Sequence, residues 1–98
     1  MHTISPMKLL YDPAKNERNI AERGLSFERA RDFEFQTAKF WEDDRQGYPE
    51  KRFVALGYLE DRLHVLVFSE AIDGIRVISF RKANDREGKK HGFAQKRD

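Results

Sequence analysis

The apolar positions keep one period in the first third of the chain and another after it. Lys8 to Asp12 reads as a short strand, and Asp12-Pro13 as a helix start. An aspartate can accept hydrogen bonds from the free N–H groups of a first turn, and a proline at the first helical position loses nothing by lacking its own. The helix should run from Pro13 to about Arg23 and stop at Gly24, which takes the left-handed conformation cheaply. Its apolar positions are only Ala14, Ile20 and Ala21, so it has a narrow stripe to bury, and Lys15 and Asn19 share one face. Ser26 caps a second predicted helix, Phe27 to about Phe35, with Phe27, Ala30 and Phe33 on its inner face.

From Lys39 the pattern becomes that of strands. Lys39 to Asp43, Arg52 to Leu59, Leu63 to Ser69 and Ile75 to Ala83 are separated by a loop with Gly47 and Pro49, by Glu60-Asp61 and by Ile72 to Gly74. Connections this short make neighbouring strands antiparallel, which gives a meander. In the last strand, strict alternation would put Ile75, Val77, Ser79 and Arg81 on one face and Arg76, Ile78, Phe80 and Lys82 on the other. Apolar residues on both faces predict a central strand covered on each side, with Arg76, Arg81 and Lys82 at its edges. Asn84, with Glu87 three residues on, forms the signature of a capping box. Gly88 and Gly92 then shorten or fray the last helix. The expected fold class is α+β: one domain over residues 1–98, an antiparallel meander with two N-terminal helices and a short C-terminal helix, and flexible ends at 1–7 and 92–98.

Composition narrows this picture. With 98 residues, 39% hydrophobic and 37% charged, and with eight Phe, three Tyr and one Trp, the chain can build one core rich in aromatics. It has no cysteine, which excludes disulfides and thiolate metal sites. No apolar run approaches the roughly 20 residues of a membrane span, and Met1 to Pro6 lacks a signal-peptide pattern, so a cytoplasmic location and no membrane partner are expected. Net charge is only +2, but Arg76, Arg81, Lys82, Arg86, Lys89, Lys90, Lys96 and Arg97 face only Asp85 and Glu87 in the same stretch. A basic end on a nearly neutral chain points to an anionic partner, either nucleic acid or an acidic protein surface.

Several stretches in order carry a family resemblance: Tyr11-Asp12-Pro13-x-Lys15-x-x-x-Asn19, Arg23-Gly24-Leu25-Ser26-Phe27-x-x-Ala30, the strand from Arg52 to Gly57, and Ile75 to Ala83. Together they resemble the BrnT family, the ribonuclease toxins of type II toxin-antitoxin pairs, over roughly Lys8 to His91. The resemblance implies a RelE-like fold and a cytoplasmic bacterial ribonuclease inhibited by a BrnA-like antitoxin. It further implies that DNA is bound only through the antitoxin complex, and it admits a homodimer or a heterotetramer with the antitoxin. Family members usually carry His-Gly where this chain has Arg23-Gly24, often a small residue at Phe80, and commonly a Tyr near His91.

RNA cleavage without a metal needs a base for the 2′-hydroxyl proton, cations for the charged transition state and an acid for the leaving oxygen. With no Cys and three scattered His, no cofactor or metal is expected and an arginine-rich site is the economical solution. Arg52, Arg76 and Arg81 are the candidate phosphate clamps, and Lys15, Lys82, Arg86 and His91 the candidate RNA contacts. Proton transfer falls to His64, Glu87 or His91. His64 lies in an apolar strand, where a hydrogen-bonded structural histidine is the first reading, and Glu87 also caps its helix. His2, near the terminus, is set aside. Two other functions fit the composition: a non-catalytic RNA-binding module using exposed Tyr48 and Tyr58, and an interaction protein whose basic surface receives an acidic partner.

Overall fold

The computed structural model describes residues 7–45 and 47–96. The chain forms β1 (Lys8–Leu10), α1 (Pro13–Arg23), two 3-10 turns (Phe27–Asp32 and Phe35–Thr37), β2 (Lys39–Asp43), β3 (Arg52–Leu59), β4 (Arg62–Ala71), β5 (Gly74–Lys82) and α2 (Asp85–His91). The first helix is built as its sequence dictates. Asp12 accepts from the Ala14 N–H at 2.9 Å, and Gly24 closes the helix at φ 65° with its N–H on the Ile20 carbonyl.

The predicted second helix is instead a pair of 3-10 turns. Ser26 still caps the first, accepting from the Glu28 N–H at 3.1 Å. Phe27, Ala30 and Phe33 are spaced strictly by three, and in a 3-10 helix residues three apart eclipse one another. Phe33 then turns extended and bridges to Leu59, while the Glu34 N–H donates to the Tyr58 carbonyl at 2.8 Å. The edge of β3 therefore takes backbone groups that a longer α-helix would have used itself.

The sheet order is β1-β5-β4-β3-β2. β2 to β5 form the expected antiparallel meander. β1 departs from it, pairing parallel with β5 through Lys8↔Gly74, Leu9↔Ile75 and Leu10↔Arg76, so the sheet is mixed. The crossover that this requires is α1 and everything after it, a connection of the kind parallel neighbours need.

Alternation along β5 also fails at one point. Val67 and Phe68 of β4 face Ser79 and Val77, and Ile78 is the extra residue of a β-bulge. The bulge resets the phase, so Ile75, Val77 and Phe80 all enter one core cluster, with Leu25, Phe27, Ala30, Phe33, Leu59 and Leu66. Arg81, opposite Val65, belongs to the other face, where Leu56, Tyr58, Leu63, Val65 and Ala83 form a second cluster with Trp41 and Phe93 against it. β5 is thus an interior strand of a sheet covered on both sides, as expected, but its side chains are dealt differently from strict alternation.

The polar helix α1 docks through amides rather than an apolar stripe. Asn16 and Asn19 are its buried residues. Asn16 Oδ1 accepts from the Phe27 N–H at 2.7 Å; Asn19 Nδ2 donates to the carbonyls of Leu25 at 2.8 Å and Phe80 at 3.0 Å. Of the ends expected to be flexible, residues 1–6 and 97–98, including His2 and Arg97, lie outside the described residues. Residues 92–96 pack back on the sheet: the Gln95 carbonyl accepts from the Leu63 N–H at 2.8 Å, and Lys96 bridges to Arg62.

Candidate nucleic-acid cleft

On the face opposite α1, the sheet and α2 enclose a cleft of about 400 Å³. Its floor is Val54, Leu56, Val65 and Val67, and its rim carries Arg45, Arg81, Arg86, Lys90 and His91 against Asp43 and Glu87. The order of these residues follows from two local devices. The bulge at Ile78 turns Arg81 to this face, and the capping box starts α2 directly beyond β5. Asn84 accepts from the Glu87 N–H at 2.8 Å and the Glu87 carboxylate accepts from the Asn84 N–H at 2.9 Å.

Glu87 does more than cap. Arg81 Nη1 and Nη2 donate to its two carboxylate oxygens at 2.9 and 2.7 Å, a fork that clamps the helix start to the strand end. Arg81 holds the Glu87 carboxyl below its ordinary range, against a smaller opposing effect of burial. Glu87 is therefore a carboxylate that orients a guanidinium, and a weak acceptor for a substrate proton. At the other end of the short helix, the His91 ring stacks on Trp41 with centroids 4.6 Å apart and planes 17° from parallel. Burial, then the charges of Lys39 and Lys90, push the His91 pKa down, so the ring is neutral at neutral pH. Its Nδ1 is buried without a partner, which leaves Nε2 as the nitrogen open to a ligand.

The cleft brings together four of the residues singled out in the sequence: Arg81, Arg86, Glu87 and His91. Arg52 lies at its outer end, opposite Asp43 in the β2–β3 register and with its guanidinium 3.7 Å from the Tyr48 ring centroid. The others lie elsewhere. His64 and Lys82 face each other across β4 and β5 and line a second groove. Arg76 is exposed near the start of β5, opposite Ser69 and Leu10, roughly 16 Å from Arg81 along the strand at about 3.3 Å per residue. Lys15 lines a shallow depression with Arg18, Glu22 and Ser79.

His64 has the structural character expected of it: 4% exposed, with Nδ1 at 2.8 Å from the Arg62 carbonyl and a pKa lowered chiefly by burial. Neither of the two aromatics expected to be exposed in a simple RNA binder is so. Tyr58 is buried and donates to the Ala94 carbonyl at 2.8 Å, and Tyr48 is half-buried beneath Arg52. Sequence reading missed Trp41, Asp43 and Arg45. The Asp43 carboxylate, its side chain only 7% exposed, pairs with Arg45 at 2.7 Å, and an acid and a base two residues apart at a strand end are a signal that could have suggested it. Among the described residues, no three His, Asp or Glu converge in a group able to hold a metal ion, and no helix is long and apolar enough to cross a membrane.

The chain is thus a single α+β domain with a five-stranded mixed sheet and a cleft rimmed by cations under its last helix. The family model described as ribonuclease toxin, BrnT, of type II toxin-antitoxin system matches residues 11–87, and the chain belongs to that family of ribonuclease toxins. No curated protein matches the chain.

Proposed function

We propose that this chain is the toxin of a type II pair, that it cleaves RNA in the cleft beneath α2 without a metal, and that a BrnA-like antitoxin silences it. The observation that carries the reading is the convergence, in a cleft of a ribonuclease-family domain, of a guanidinium pre-aimed by Glu87 with a neutral histidine stacked on Trp41. The order of elements, with α1 on one face of the sheet and the cleft beneath α2 on the other, is consistent with a RelE-like arrangement.

In this reading His91 takes the proton of the 2′-hydroxyl. The 2′-oxygen attacks phosphorus, the bond to the 5′-oxygen breaks, and the 5′-oxygen leaves with a proton from water, giving a 2′,3′-cyclic phosphate and a 5′-hydroxyl. Arg81 stabilises the charge that builds on the phosphoryl oxygens, with Arg45, Lys90 and Arg86 on the rim holding flanking phosphates and Arg52 at the outer end. The cytoplasm is where such a substrate and partner would be met. A neutral base of lowered pKa predicts a cleavage rate that rises with pH to a plateau, with the midpoint of the rise below the ordinary histidine value of 6.5.

The test is incubation of the purified chain with a defined RNA in EDTA, with and without the antitoxin, followed by analysis of the fragment ends. Cleavage that persists in EDTA, leaves cyclic phosphate ends and stops when the partner is added is the expected result. Cleavage that EDTA abolishes contradicts the metal-free site.

A further inference from the structure

A second basic groove, of about 830 Å³, opens at the end of the sheet between the Gly24 turn, the β3–β4 turn and the end of β5. Its lining includes Arg23, Arg29, Arg62, Arg81, Lys82 and Lys96, opposed by Glu60 and Asp61. Internal pairing removes part of this charge: Arg29 bonds Glu60 and Asp32, and Arg81 bonds Glu87. Among the described residues, Arg23, Arg62, Lys82 and Lys96 have no carboxylate partner. Arg62 keeps a buried Nε with no hydrogen-bond partner, and the bond from its Nη2 to the Ala83 carbonyl is long at 3.4 Å. The Arg62 guanidinium therefore stands on the groove wall with no carboxylate among the described residues to neutralise it, and an anion in the groove would offset the cost of its partial desolvation.

Arg81 lines both this groove and the cleft under α2. The two therefore meet at Arg81, near the end of β5. A linear polyanion can follow such a path, one phosphate after another. An extended acidic peptide is the competing occupant, and the salt and polyglutamate arms of the test separate the two. His64, in the groove wall, is held neutral by burial and does not add to the charge.

We propose that this groove is a second phosphate-binding site, which holds the backbone of the RNA strand where it leaves the cleavage cleft. The inference rests on the cleft being the RNA site. Its predicted role is in affinity and substrate length rather than in the chemistry of cleavage.

The test uses 2′-O-methyl oligonucleotides, which cannot be cut through the 2′-oxygen, and the full chain carrying Lys82→Gln and Lys96→Gln, two exposed side chains whose loss leaves the core untouched. Binding is followed by fluorescence anisotropy over a series of salt concentrations. Each lost phosphate contact on a single strand lowers the salt slope by about 0.7, so the double variant should lose about 1.4 in slope. With that slope change, affinity for a dodecanucleotide should fall roughly tenfold at low salt. Affinity for a dinucleotide, which fills only the cleft, should stay unchanged. Equal slopes for the two proteins on the dodecanucleotide would overturn the second site and leave the cleft standing. Unchanged oligonucleotide binding with lost binding of polyglutamate would overturn it in favour of a protein-docking groove. Failure of the unmutated chain to bind either oligonucleotide would overturn the cleft reading and this inference with it.

Discussion

Asn19 ties three parts of the molecule together from the middle of a helix that has almost no apolar face. Its Nδ2 serves the carbonyls of Leu25 and Phe80, and its Oδ1 accepts from Arg23 Nη1 at 2.6 Å, all in a residue 4% exposed. Removing the amide leaves two buried carbonyls without a donor, and each such orphan costs about 1–3 kcal/mol. Asn19→Ala should therefore lower stability by about 2–4 kcal/mol in urea unfolding, whereas Ile20→Ala, at a 40% exposed position, should change it by about 0.5 kcal/mol or less. The sequence placed Asn19 on a face with Lys15 and marked the helix as poorly apolar. It could not show that the carbonyl of Phe80, 61 residues later, would sit above that face. The same limit applies to His91: its stacking on Trp41 joins the edge strand to the last helix, and no local spacing encodes that meeting.

At the scale of elements, what was legible was what is local. The caps at Asp12 and Asn84, the stop at Gly24 and the meander from Lys39 onward are each set by a few neighbouring residues, and they stand where the pattern put them. What was not legible depended on pairing at a distance. Parallel addition of β1 needs Gly74, where a Cβ would lie 1.8 Å from the Lys8 carbonyl oxygen. The bulge at Ile78 is visible only against β4. This pairing makes a prediction: Gly74→Ala should detach β1 while leaving the meander intact, seen as hydrogen exchange rising at Lys8, whose N–H bonds the Asp73 carbonyl at 3.0 Å, with protection kept in β3 and β4. Protection unchanged at Lys8 would mean that the strand tolerates the contact by shifting.

For the whole molecule, charge couples stability to pH in two stages. His64 and His91 both have folded pKa values below their ordinary 6.5, so as pH falls past that value the unfolded chain takes up protons that the folded chain refuses. Stability present above that pH is lost as pH drops towards the lowered values. Glu87, Asp43 and Glu28, held down by Arg81, Arg45 and by Tyr11 with Arg31, add a second loss below the ordinary carboxylate range. Urea midpoints measured from pH about 7.5 to about 5 should decline, and His64→Gln should flatten that upper part of the curve. A flat curve in the unmutated chain would contradict the burial argument for His64.

The same whole-molecule view bears on where RNA is cut. Arg76 and Arg81 stand on one strand and were equal candidates as phosphate clamps, but only Arg81 reaches the cleft, and its fork to Glu87 pre-aims it. The measurement that decides is the single-turnover cleavage rate of Arg81→Ala beside Arg76→Ala, each confirmed folded by its unfolding midpoint. Arg81→Ala should lose about a hundredfold or more in rate, the scale of a lost transition-state donor, at a stability cost of about 1 kcal/mol for a partly exposed ion pair. Arg76→Ala should cleave at close to the unmutated rate. Full activity in Arg81→Ala, or a loss of the same size in Arg76→Ala, would contradict the placement of the reaction beneath α2.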